Sequence, residues 1–184
     1  MGVTQRAVNI LVRPASEWRV IAGESADVTS LIINYAAPLS GVAAISRWLG
    51  LVLHFGRLGI GFLGSAIFAI MAWALGLLGL WIAAIVIEHL APTFSSRSNT
   101  VQALKLVVYA STPVWIVGIL GIVPMLGVLW LVGFAYAVYL FYIGLPIVLE
   151  TPADKVVPYM VASAVVVFIA NYIVTVATRM VAAV

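Results

Sequence analysis

Apolar residues run along this chain in long unbroken stretches, separated by short clusters of charge and turn residues. No charged side chain occurs over 28–46, 58–87, 106–149 or 156–178. A helix needs about 20 apolar residues to cross the hydrocarbon core of a bilayer. The first, second and last stretches therefore each hold one span. The third is about twice that length, and the run Gly121 to Gly127 breaks it near its middle. Glycine and proline there read as a tight turn between antiparallel helices. The pattern predicts five spans, at 28–49, 62–87, 101–122, 126–149 and 156–180. The first is the most diluted, by Asn34, Tyr35, Pro38 and Ser40. No stretch has the ten-residue alternation of an outer-membrane barrel. The expected fold is all-α, a polytopic transmembrane bundle. It divides into a leader over 1–27 and a five-helix domain over 28–184.

The leader lacks a cleavable signal sequence, because its apolar run comes late and follows three carboxylates. Position 6 is Arg, where a myristoylation signal needs Ser or Thr. Pro14 to Trp18 read as a helix start. Trp18, Ile21 and Ala22 recur at helical spacing opposite Glu17, Arg19 and Glu24. That pattern predicts a short amphipathic helix lying in the membrane interface.

Composition strengthens this picture. Of 184 residues, 65% are hydrophobic and 8% charged, with mean hydropathy +1.21. Soluble domains carry about 25% charge, so a soluble globular fold is excluded. Cysteine is absent, which removes disulfides and thiolate chemistry. The net charge is +3, but the basic residues are scattered singly and form no nucleic-acid stripe. They serve better as topology anchors. With the N-terminus in the cytoplasm, Arg6, Arg13, Arg19, Arg97, Lys105 and Lys155 lie inside, and Arg47, Arg57 and Arg179 outside. This excess favours that orientation. All carboxylates then fall on the cytoplasmic side, and Glu24, Asp27, Glu88, Glu150 and Asp154 form a candidate interaction face.

Candidate chemistry is sparse. Gly59, Gly61 and Gly64 match G-x-G-x-x-G, but the motif opens a span instead of following a strand. Gly61, Ser65 and Ala69 extend it as small residues four apart, which reads as a helix-packing face and a route to self-association. Lys105 lies about one turn into the third span, where it can snorkel to the headgroups or pair with Glu88, Glu150 or Asp154. Asn34, Pro38, Tyr109, Ser111, Thr112, Pro113 and Asn171 form a candidate polar and kinked cluster within the membrane. Tyr136, Tyr139 and Tyr142 add an aromatic group. No nucleophile elbow or H-E-x-x-H helix occurs. A hard-cation site among Glu24, Asp27, Glu88, His89, Glu150 and Asp154 is the weaker reading of those acids. No catalytic residue, metal ligand or cofactor is expected.

Several motifs together resemble the Yip1 family of five-span membrane proteins. They are Pro14-Ala15-Ser16-Glu17-Trp18, Tyr109-Ala110-Ser111-Thr112-Pro113, Gly118 to Pro124, and Tyr139 to Pro146 followed by Thr151-Pro152-Ala153-Asp154-Lys155. Val108 departs from the family's usual Gly before the Tyr, and the long N-terminal region of the eukaryotic proteins, with its Asp-Leu-Tyr-Gly-Pro element, is missing. The resemblance implies an inner-membrane protein with a cytoplasmic N-terminus and no enzymatic activity, acting as an organiser or adaptor. The alternatives are a small channel or carrier for an ion or solute, and a lipid-handling protein. The expected partners are the bilayer, a second copy of the chain, or a membrane or cytoplasmic protein, and not nucleic acid.

Overall fold

The computed structural model describes residues 2–55 and 61–168. Arg57, Gly59, Asn171, Arg179 and the far end of the fifth expected span lie outside them. The described residues form helices α1 (Val3–Val12), α2 (Pro14–Gly23), α3 (Val28–His54), α4 (Phe62–Leu90), α5 (Thr100–Ala110), α6 (Thr112–Gly118), α7 (Trp130–Val148) and α8 (Val156–Phe168). Four stretches are long and apolar enough to cross a membrane: Val28–His54, Phe62–Phe94, Thr100–Ile122 and Pro124–Val148. α8 is a shorter apolar helix, and its described part ends at Phe168.

The prolines set the irregularities. Pro38 has no N–H and crowds the carbonyl four residues back, that of Asn34. α3 absorbs this by widening into a π-helical segment over Leu31–Ala36. Pro113 stands in the same relation to Tyr109, and there the helix divides at Ser111 into α5 and α6. The expected turn is present: a 3-10 segment over Ile119–Ile122, Val123 extended, and a second 3-10 segment from Pro124 to Leu129. α6 and α7 then run antiparallel.

α5 is the axis. Every residue from Ala103 to Ala110 is buried. α2 and α5 pack on α7, α4 packs on α5, and α3 packs on α4, α6 and the 119–122 turn. α4 is the opposite case. Phe62, Leu63, Phe68, Ile70 and Met71 are all exposed, and only Ala84 and Ile87 of this helix are buried. Such an outward apolar face belongs in lipid.

The leader departs from expectation. It holds two helices, not one, and its apolar face lies inside the protein. Ile10, Trp18 and Ile21 are fully buried and share one hydrophobic core with α5 and α7. The helical spacing of Trp18, Ile21 and Ala22 fits a bilayer surface and a protein groove equally well. The groove takes Trp18 because Gly144 opens it. A Cβ at Gly144 would meet the Trp18 indole at 2.8 Å and Leu106 Cδ1 at 2.6 Å.

The small residues that matter for packing are also not the expected ones. Gly61 and Gly64 have open space where a Cβ would go. Ser65 accepts a bond from Trp48 Nε1 at 3.1 Å, and Ala69 borders a groove with Gly41, Trp48 and Trp73, so these two do face α3. The tight crossing lies elsewhere, where Gly50 meets the backbone carbonyl of Gly121 and Gly118 meets Ala43. A Gly50→Ala change therefore places a methyl on backbone that cannot yield. It should destabilise the protein by about 1–3 kcal/mol, while Gly61→Ala should be near neutral. Thermal unfolding in detergent compares the two, and equal shifts would refute this account of the crossing.

Candidate functional site

The leader helices and α5 enclose a charged cluster at the end of the bundle where α5 begins. Arg6, on α1, is 5% exposed. Its Nη1 donates to Glu17 Oε1 at 2.5 Å, and its Nη2 to both carboxylate oxygens of Glu24 at 2.5 Å. Glu17 is buried with it, whereas the Glu24 side chain keeps 43% of its surface exposed. Burial works against the Arg6 charge, but the bond to Glu24 and the field of Glu24 and Glu17 outweigh it. The guanidinium thus holds its proton more tightly than an ordinary arginine.

Lys105 completes the cluster in an unexpected way. It is 2% exposed and neither snorkels nor pairs with Glu88, Glu150 or Asp154. Its Nζ donates to the carbonyls of Ile21 at 2.9 Å and Glu24 at 2.5 Å. These are orphan carbonyls at the C-terminal end of α2, where a cation also suits the helix dipole. Gln102 Nε2 donates to a third, that of Ala22, at 3.0 Å. α5 thus caps α2 with two side chains. Tyr136 ties down α1 by donating to the Leu11 carbonyl at 2.7 Å.

Deeper in the bundle lies an aromatic layer. Tyr109 packs edge-on against Tyr35 at 4.7 Å and Trp18 at 6.4 Å between ring centroids, and Arg6 Cζ sits 5.8 Å from its ring centre. Tyr35 shares a hydrogen bond of 2.9 Å with Thr112, which is fully buried. Of the expected intramembrane cluster, Tyr109 and Thr112 thus meet through Tyr35, and Pro113 is buried beside them. Ser111 instead bonds its own helix, at the Val107 carbonyl. Asn34 and Pro38 lie on the exposed side of α3. Between the charged cluster and the aromatic layer is a pocket of about 420 Å³, bordered by Arg6, Glu24, Ser30, Asn34, Tyr35 and Tyr109.

The expected acidic face gathers at this same end, with Glu24, Asp27, Glu88 and Glu150 already engaged locally. Asp27 accepts from the Ser30 N–H at the start of α3. Glu88 accepts from Thr100 Oγ at 2.7 Å. Glu150, at φ 53°, pairs with Arg97 at 3.1 Å, and the Arg97 N–H bonds the Leu149 carbonyl at 2.7 Å. Ser96 donates to Thr151 at 2.9 Å. Asp154 is exposed. Among the described residues no three acidic or histidine side chains come together as a metal site. His54 and His89 each bond a carbonyl of their own helix.

Sequence reading missed the Arg6–Glu17–Glu24 cluster. One signal was available: Lys105 is alone in charge-free surroundings, and a cation there needs partners from another segment.

These features define a helical membrane protein whose N-terminal segment is built into its bundle. A family model described as the Yip1 domain matches residues 8–175. The chain belongs to the Yip1 family. No curated protein and no solved structure matches it.

Two substitutions probe the cluster. Arg6→Met strands the buried Glu17 carboxylate and should cost about 3–5 kcal/mol. The double change Arg6→Met with Glu17→Leu should recover much of this, because the one carboxylate left without Arg6 is that of Glu24, which is partly exposed to water. Thermal melts of the two variants in detergent check it, and a double variant as unstable as the single one would contradict the account.

Proposed function

We propose that this protein is a non-enzymatic organiser or adaptor of the inner membrane, with five spans and a cytoplasmic N-terminus. The single observation that supports it is the grouping of Glu24, Asp27, Glu88, Glu150 and Asp154 at one end of the bundle. They stand on a frame that holds its own shape, through the Arg97–Glu150 and Ser96–Thr151 links and the capped C-terminal end of α2. A surface ordered before a partner arrives loses little entropy on binding. Both acids of the 149–155 turn, Glu150 and Asp154, present charge outward. The partner would be a membrane or cytoplasmic protein with basic groups, or a second copy of the chain. The open side of Gly61 fits the latter.

The channel or carrier reading draws on fewer groups. Tyr35 and Thr112 spend their hydroxyls on each other, and Ser111 spends its own on Val107. A lipid-handling role has a specific observation in its favour, the pocket beside Asn34 and Tyr109.

Mild cross-linking in native membranes, followed by pull-down and mass spectrometry, tests the adaptor reading. The expected outcome is a stoichiometric partner that is lost from the Glu150→Lys, Asp154→Lys protein. Retention of every partner by that variant would sink the proposed face. Topology is tested separately, because a cysteine-free chain accepts single probes. Ala153→Cys should react with an impermeant maleimide only after cells are opened, and Met125→Cys and Ala183→Cys should react in intact cells. Protection of the Ala183→Cys probe would overturn the five-span count.

A further inference from the structure

We infer that the pocket between α1, the 24–26 turn, α3 and α5 is a binding site for the ethanolamine-phosphodiester headgroup of a membrane lipid. The first ground is unspent hydrogen-bonding capacity. Tyr109 is 8% exposed and lines the pocket. Its ring is held by Tyr35, Trp18 and Arg6. None of the hydrogen bonds of the described residues uses its hydroxyl, and that oxygen is not among the atoms buried without a partner, so it opens on the pocket free to donate. Asn34 lines the same pocket from the exposed side of a span. Its side-chain amide has no partner among the described residues either, and an amide facing hydrocarbon alone is costly. Both groups can donate to phosphate oxygens.

The second ground is charge. The wall carries one cation, Arg6, and one carboxylate, Glu24, with Glu17 and Lys105 bonded behind them in the same cluster. Arg6 is spent on both acids, and Lys105 on carbonyls. The wall is thus electrically balanced and offers no free cation to draw an anionic headgroup. It does offer the partly exposed carboxylate edge of Glu24. An ammonium group can lie there while its phosphate takes the Tyr109 and Asn34 donors. A headgroup with both charges fits where an anion would meet Glu24 unfavourably. A trimethylated ammonium would lack the N–H groups to donate to that carboxylate.

The third ground is position. Asn34 lies six residues into α3, about 9 Å along its axis, and Tyr109 nine residues into α5, about 14 Å. The donors sit below the polar end of the bundle, and Ile33, next to Asn34, is 60% exposed on the face suited to lipid. A lipid entering from the bilayer can reach them with its tails still in hydrocarbon. The site would serve a protein that only holds a lipid as well as one that moves it, so its test is independent of partner capture and of lipid-transfer assays.

The test is native mass spectrometry of the purified full chain in detergent, titrated with phosphatidylethanolamine, phosphatidylglycerol and phosphatidylcholine of matched acyl chains. Phosphatidylethanolamine should bind most tightly. Tyr109→Phe keeps the ring packing and should weaken it about tenfold, the loss expected for one hydrogen bond to a charged group. Asn34→Leu should act likewise. Ser163→Ala, in the separate groove between α4, α5, α7 and α8, should leave binding unchanged. Thermal melts of each variant separate lost binding from lost fold, and Ser30→Ala replaces Asn34→Leu if the latter does not fold. Equal or tighter binding of phosphatidylglycerol would overturn the inference, as would an unchanged affinity in Tyr109→Phe. Saturation by soluble glycerophosphoethanolamine at the same concentration would show a free ligand and overturn the lipid assignment.

Discussion

Trp18 is the piece on which the arrangement closes. Its indole is fully buried, with Tyr109 of α5 on one side and Gly144 of α7 on the other. A large ring can enter between two helices only where one of them has no side chain, and Gly144 supplies that gap. Burial is worth about 25 cal/mol per Å² of apolar surface, and an indole is among the largest apolar surfaces a chain can commit. The gain is net of one unpartnered group, the Trp18 N–H, which bonds to none of the described residues.

Once Trp18 is seated, α2 is held so that its C-terminal carbonyls reach Lys105 and Gln102, and Glu17 is carried inward to Arg6. Each charge of the cluster would be expensive alone and is tolerable only with the others. The cluster therefore acts as a fit requirement: the leader docks in one register or leaves a buried charge without its counterpart. The family's motif pieces, far apart in sequence, meet here as Trp18, Tyr109 and Gly144. Pro113, four residues after Tyr109, breaks the helix so that Thr112 turns toward Tyr35.

Four of the five expected spans were legible because hydrocarbon imposes one length and one composition, and the charge-free stretches recorded both. The turn at Gly121 to Gly127 was legible for the same local reason. The destination of the leader was not. An amphipathic stripe states that Trp18 and Ile21 must leave water, without stating whether lipid or protein receives them. Gly61 has no neighbour within the chain, because glycine four residues from another small residue marks smoothness and not which surface meets it; Gly50 and Gly118 carry the crossing without any such pattern. Lys105 was placed correctly within its span, but its partners are backbone carbonyls of α2, which no side-chain pairing rule would nominate.

The built-in leader has a consequence for how the chain is made. Leu11 is held by Tyr136, 125 residues later in the sequence, and Trp18 waits on Gly144. A segment made before α5 and α7 is thus among the last to find its place, since both must be synthesised and inserted before its groove exists. Contacts so distant in sequence close slowly. In the interval Trp18, Ile10 and Ile21 have only the membrane surface or a chaperone to cover them. The apolar stripe would then serve twice in the life of one molecule, first as a temporary mooring on the bilayer and afterwards as the wedge that locks the finished bundle.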